Sequence, residues 1–178
     1  MYRLEGERIV LREYRKEDFA YMRKWVNDYE ITKYLSNVFL HPHSVADTEN
    51  FINSMIEGKM KGFIIAHKGT EEYIGQLDMI KIDWPNRVGT LGIVIGTKEN
   101  LSKGYGTEAI KLLQEFAFNK LNLNKLELDV RAFNERAINC YEKCGFKKEG
   151  IIRENYYENG EYTDTIKMGI LKREWKVD

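Results

Sequence analysis

The chain is poor in most of what marks a specialised class of protein. Among 178 residues there are two cysteines, three histidines and no excess of charge, since 28 Lys and Arg balance 28 Asp and Glu. Zero net charge gives no reason to expect a nucleic-acid partner or attraction to an anionic membrane. No apolar run approaches the roughly 20 residues that a membrane-spanning helix needs, and Met1-Tyr-Arg-Leu-Glu5 is not built like a secretory signal. A cytoplasmic protein is the expectation. Cys140 and Cys144 lie four apart on what reads as one helix. No second Cys or His pair stands at a ligand spacing from them, so ordinary reduced thiols are expected. His41-Pro42-His43 offers two ligands without the others that a coordination shell requires, and no metal is expected. No Ser-His-Asp or Cys-His set stands out. No linker, repeat or low-complexity segment interrupts the chain, so residues 1–178 read as one domain with a substantial core.

What is present centres on Leu91 to Ala109. Leu91 to Ile95 is a short apolar run rich in β-branched residues, which suits a buried strand. Thr97 to Ser102 is polar and ends it. From Gly104 onward Ala109, Ile110, Leu112, Leu113, Phe116, Ala117 and Leu121 recur at spacings of three and four, the period of an amphipathic helix. Gly104 and Gly106 therefore occupy the turn that opens a helix. Without Cβ atoms they let a ligand approach the backbone, and the free N–H groups of a helix start favour an anion such as a phosphate. Lys103 adds a cation. A plain flexible helix start explains two glycines equally well. The Walker pattern is absent, and Gly104-x-Gly106-x-x-Ala109 also fits the dinucleotide fingerprint, with Glu127 or Asp129 near the place of a ribose-binding acid. Chain order opposes that reading, because too few residues follow to complete a doubly wound sheet.

Other elements follow from pattern and punctuation. Arg8 to Arg12 alternates as a first strand. Asp18 can cap a helix running to about Asn27 with Phe19, Met22, Trp25 and Val26 on one face, and a helical turn is expected at Glu30 to Leu35. Ser44 can cap a helix to about Glu57, with Val45, Thr48, Phe51/Ile52 and Met55/Ile56 inward. Phe63–His67, Tyr73–Ile80 and Arg87–Ile95 read as three strands joined by turns, a meander. Lys125 to Val130 alternates as a strand, and a helix from Asn134 to Cys144 ends at Gly145. Phe146–Tyr157 and Tyr162–Leu171 flank Asn159-Gly160, a hairpin signal. The predicted order is β-α-α-β-β-β-α-β-α-β-β, an α+β fold whose mixed sheet is mostly antiparallel and flanked by helices.

Leu101-Ser-Lys-Gly-Tyr-Gly-Thr107, with Asn134-Glu-Arg-Ala-Ile-Asn-Cys-Tyr-Glu-Lys-Cys-Gly-Phe146, resembles the acetyl-CoA site of the GNAT family of N-acetyltransferases. The resemblance runs from about Ile9 to Trp175 and is nearest the branch of ribosomal-protein N-terminal and spermidine N-acetyltransferases. It implies the GNAT fold, acetyl-CoA as cofactor and a primary amine as acceptor: a polyamine, a protein N-terminus or an amino sugar. It implies that the backbone of Leu101, Ser102, Lys103, Gly104, Tyr105, Gly106 and Thr107 holds the pyrophosphate. Backbone groups near Ile93, Val94 and Ile95 would take the pantetheine arm as an added strand, and Asn134 and Asn139 would contact the cofactor. Leu101 departs from the family's usual Gln or Arg, which removes one side-chain contact.

Tyr141 falls at the place of the family's general acid. A phenol of pKa near 10 is protonated at neutral pH and can donate to the CoA thiolate as it leaves. Read without the family, Tyr141 is foremost an aromatic that packs its helix, and Asn134 can be simply an N-cap. Some relatives carry a Glu near the start of the central strand. Thr90 and Leu91 stand there in this chain, and Asp78, Asp83, Glu30 and Asp164 are alternatives that also read as turn or strand residues. No base is assigned. The branch builds its acceptor pocket from segments that here supply Trp25, Asn27, Asp28, Glu30 and Tyr34, then Trp84 and Asn86, then Tyr156, Tyr157 and Tyr162. Acidic groups beside aromatics suit a cationic amine. A non-catalytic acyl-CoA sensor and a nicotinamide-dependent oxidoreductase are the competing readings, and the oligomeric state, a homodimer included, is open.

Overall fold

The computed structural model describes residues 3–176. Thirteen helices and strands of regular α or β type follow one another: β1 (Leu4–Glu5), β2 (Ile9–Arg12), α1 (Asp18–Trp25), α2 (Tyr29–Thr32), α3 (Val45–Ile56), β3 (Lys61–His67), β4 (Tyr73–Asp83), β5 (Val88–Ile95), α4 (Tyr105–Glu115), β6 (Lys125–Arg131), α5 (Glu135–Lys143), β7 (Lys147–Glu158) and β8 (Glu161–Leu171). The strands form one sheet in the order β1-β2-β3-β4-β5-β6-β8-β7. The predicted sequence of elements is therefore observed, with β1 added at the front and the helical turn expected at Glu30 to Leu35 present as α2. The chain falls into two compact units. One comprises residues up to Ile80 with Gly92–Leu112, the other Lys81–Leu91 with the chain from Leu113 onward.

In the first unit β2, β3 and β4 pair antiparallel, with Ile9 opposite His67 and Phe63 opposite Leu77. Trp25, Met22 and Val26 pack with Val10, Tyr14, Ile52, Met55, Ile64 and Tyr73 in one apolar cluster. Helix α3 begins as its sequence indicates: the Ser44 side chain accepts from the Asp47 N–H, and the Asp47 carboxylate accepts from the Ser44 N–H. Such a reciprocal cap satisfies two of the helix start's orphan donors. Its buried stripe is Thr48, Ile52 and Met55, while Val45 and Ile56, expected inward, are exposed.

Asp18 differs from expectation. It lies inside α1, whose N-cap position is Glu17 without a side-chain cap bond. The Asp18 carboxylate instead accepts two bonds from the buried Arg12 guanidinium, at 3.0 and 2.8 Å, and one from the Arg15 N–H. A buried guanidinium needs a counter-charge, and that demand overrides the local capping preference.

In the second unit β5 runs parallel to β6, from Val88 opposite Lys125 to Thr90 opposite Glu127. Strand β6 pairs antiparallel with β8 along its whole length, and β8 with β7. Asn159 and Gly160 both have positive φ, 51° and 89°, as a two-residue hairpin of the Asn-Gly type requires. Three irregularities had no signal in the sequence. Helix α4 passes into a wider π turn at Phe116–Lys120. Strand β7 slips register between Lys148 and Gly150, and again between Ile152 and Tyr156, where Glu154 has φ 51° and donates its N–H to Asp164.

Candidate active site

The first unit builds the glycine loop. After Ile95 the chain passes Gly96, where an added Cβ would lie 2.6 Å from the Trp25 ring, so only glycine allows that close approach. A short turn at Lys98–Asn100 follows, held by Asn100 donating to Thr97 Oγ1 at 2.7 Å. Ser102 and Gly104 both take left-handed backbone, φ 60° and 84°, which reverses the chain into α4. The Glu108 N–H bonds back to Gly104 O, so an 11-residue helix begins at this turn. The dipole of such a helix favours an anion at its start.

Arg8, which no local pattern singles out, braces this loop from 95 residues away by donating to Lys103 O at 2.9 Å. Its guanidinium also pairs with Glu108 at 3.0 Å and lies 4.9 Å from the centre of the Tyr105 ring. Glu108 in turn accepts the N–H groups of Arg8 and Ile9, tying the first turn of α4 to β2.

The same unit contains a chain of polar groups among its apolar residues. Trp25 Nε1 donates to the Tyr73 hydroxyl at 2.9 Å, and Tyr73 donates to Gln76 at 3.4 Å. Gln76 donates to Asp78 at 3.1 Å, and Tyr14 donates to the other Asp78 oxygen at 2.5 Å. Desolvation pushes the Asp78 carboxyl up to about 7 despite these two donors. Burial likewise holds the Tyr14 and Tyr73 phenols above their ordinary range.

The second unit carries α5. Asn134 is its N-cap, with its side chain accepting from the Ala137 N–H at 3.2 Å. At the other end Gly145, φ 85°, bonds back to Glu142 and Phe146 to Tyr141, a glycine-terminated cap. The buried Gln114 side chain donates to Cys144 O at 2.7 Å. Tyr141 is 7 % exposed. Burial raises its phenol above the usual range, with Cys140 and Cys144 adding to the rise, so it is protonated at any neutral pH. Its hydroxyl has no hydrogen-bond partner among the described residues, yet it is not among the sealed, unbonded polar atoms, which are Arg12 Nε, Glu13 Oε2 and Thr163 Oγ1.

The remaining expected residues divide by what already occupies them. Asn27 clamps the backbone of His43 with both ends of its amide, at 3.1 and 2.8 Å. Glu30 pairs with Lys33, whose Nζ also lies 5.3 Å from the centre of the Tyr34 ring, and Asp28 pairs with Lys98. Trp84 is 56 % exposed, and Tyr162 stands beside Tyr157 with ring centres 4.9 Å apart. Asn139 is exposed on α5. His43 stacks on Phe39, and among the described residues no group of three or more His, Cys, Asp and Glu is set to hold a metal. Asp83 accepts two bonds from Asn86, Asp164 serves the β7 irregularity, and Asp129 pairs with Lys167.

A model of the acetyltransferase (GNAT) domain matches residues 8–147. The chain belongs to the GNAT family of acetyltransferases. An uncharacterized N-acetyltransferase of Bacillus licheniformis is 32% identical over 98% of this chain and 99% of its own length. Spermidine N(1)-acetyltransferase of Vibrio cholerae is 28% identical over 96% of each chain. A crystal structure of spermidine N-acetyltransferase from Vibrio cholerae, in complex with CoA and spermine, superposes with a TM-score of 0.81 at 27% identity, covering 93% of this chain and 96% of that one. The chain is thus similar along nearly its whole length to N-acetyltransferases, and acyl transfer is its class of chemistry.

Proposed function

We propose that this protein moves the acetyl group of acetyl-CoA to a primary amine by direct attack, with Tyr141 as general acid. The observation that carries the proposal is the Tyr141 hydroxyl, which is protonated and bonded by no described residue. The residues present fit the cofactor. Left-handed backbone at Ser102 and Gly104 opens onto a helix start, and Lys103 and Arg8 supply positive charge beside it. Leu101 to Thr107 would hold the pyrophosphate through main-chain N–H groups, and the backbone of Ile93 to Ile95 would take the pantetheine arm. Asn134 and Asn139 would contact the cofactor from α5, Asn134 while capping its helix. Bound acetyl-CoA supplies the activated thioester. As the acceptor's nitrogen attacks the carbonyl carbon and the C–S bond breaks, Tyr141 donates its proton to the leaving sulfur.

The acceptor is a small cationic amine. Polyamines stand first because the relative solved with spermine is similar over almost the whole chain, and a protein N-terminus or an amino sugar comes next. Trp84 and Tyr162, exposed aromatics, and the polar Asn27, Glu30 and Tyr34 would line its approach in their respective units. Release of free thiol from acetyl-CoA is the test, with spermidine, an N-terminal peptide and an amino sugar as acceptors. Acceptor-dependent release is expected with at least one of them. CoA binding without release would favour a sensor. Gly106→Glu, which puts a negative side chain at the head of α4, is expected to abolish CoA binding in a calorimetric titration while the fold persists.

A further inference from the structure

The proposed reaction leaves one proton unassigned. An aliphatic ammonium of pKa near 10 must lose a proton before its nitrogen can attack, and Thr90 stands at the start of the central strand, where some relatives carry a Glu. The parallel register supplies one from the next strand: Thr90 pairs with Glu127. The Thr90 hydroxyl donates to Glu127 Oε1 at 3.4 Å. Both residues line a cavity of about 310 Å³ together with Lys81, Asp83, Asn86 and Val88. This cavity reaches the turn before the central strand, one of the segments expected to receive the acceptor. Its two carboxylates outnumber its one ammonium, which favours a cationic guest. Lys125 lies 3.5 Å from Glu127 but 2.6 Å from Glu149, so its tighter partner is elsewhere. Asp83 is committed to Asn86, which leaves Glu127 as the carboxylate with capacity to spare.

We infer that Glu127 is the general base of acetyl transfer, placed by Thr90. This rests on the acetyl-transfer reading. An N–H bond of the acceptor ammonium breaks and the proton passes to the Glu127 carboxylate, directly or through one water. The freed lone pair forms the new C–N bond, the C–S bond breaks, and the sulfur takes the Tyr141 proton. Asp78 is the rival base. Both of its oxygens already accept protein donors, from Tyr14 and Gln76, whereas Glu127 Oε1 takes only the long bond from Thr90, with the Lys125 ammonium 3.5 Å from Oε2 and the Lys167 ammonium adding positive charge nearby.

The test is the pH dependence of kcat/KM in Glu127→Gln, Glu127→Asp and Asp78→Asn, using whichever of spermidine, the N-terminal peptide and the amino sugar the parent acetylates fastest. Gln keeps an oxygen for the Thr90 hydroxyl, so folding is expected to persist, and CoA affinity by calorimetry checks that the cofactor site is intact. For Glu127→Gln the expected result is a loss of about 100-fold at neutral pH. That loss should shrink about tenfold per pH unit as the acceptor approaches its own pKa near 10. Glu127→Asp should recover part of the rate. A Glu127→Gln profile parallel to the parent and within threefold of it, or the pH-dependent loss appearing in Asp78→Asn instead, overturns the assignment. A parent that acetylates none of the three amines overturns the acetyl-transfer reading, and this assignment with it.

Discussion

Two regions of the molecule bury tyrosines in opposite ways. In the first unit the hydroxyls of Tyr14 and Tyr73 are both bonded, in a run that joins Trp25, Tyr73, Gln76, Asp78 and Tyr14. In the second unit Tyr141 is equally buried, at 7 % against 6 % for Tyr14 and 1 % for Tyr73, but no described residue bonds its hydroxyl. A buried hydroxyl without a partner costs about 1–3 kcal/mol. The first unit avoids that cost by internal bonding, which is how polar groups serve a core. The second leaves the hydroxyl without a partner among the described residues, which is what an external partner needs. Burial of the ring is common to both, so burial alone does not separate structure from chemistry. The state of the hydroxyl does.

The sharpest test of the structural half is Asp18→Ala. It strips the bidentate partner from a buried Arg12, and removing one member of a buried pair typically costs about 3–5 kcal/mol. A fall in melting temperature on the order of 10 °C is expected. A change of under 2 °C, well below that scale, would break the claim that the polar groups of this unit are structural.

Tyr141→Phe tests the other half. A drop in kcat of about 100-fold is expected, equivalent to about 2.7 kcal/mol in the transition state, with CoA affinity and melting temperature close to the parent's. A rate within twofold of the parent, less than general acid catalysis normally supplies, would return Tyr141 to packing.

Tyr73→Phe makes the same chemical change in the first unit and should give the reverse outcome. Trp25 Nε1 loses its acceptor, so stability falls by about 1–3 kcal/mol while kcat holds. If instead kcat fell and stability held, the contrast between the two tyrosines would fail.

The smallest effect concerns Asp78. Its carboxyl titrates at about 7 in the folded chain against about 3.9 unfolded. The folded state thus holds the proton more tightly, and the group's stabilisation is full below about pH 4 and lost as pH rises to about 7. Relative to Asp78→Asn, the parent's melting temperature should fall by a few degrees from pH 5 to pH 8. A difference between the two proteins that does not move with pH would argue against the raised carboxyl.

Much of this molecule can be read without coordinates, and the reason is local. Helix α3 with Ser44, α5 with Asn134 and Gly145, and the Asn159-Gly160 hairpin are decided by groups within about four residues of one another. The glycine turn that opens α4 is legible for the same reason, as a motif of short span. Asp18 shows the limit. Its capping preference is real, but Arg12 on another element outbids it.

The sequence by itself determined the order of strands and helices, the family, and the residue types offered to an acetyl-CoA chemistry, because period, caps and turn residues act over short stretches of chain. Only the tertiary structure decided that Arg8 braces the glycine loop across 95 residues, and that Glu127 stands beside Thr90 across 37. Those meetings depend on which strand pairs with which and in what register. Register is set by burial of whole strand faces, a property that no short stretch of sequence contains.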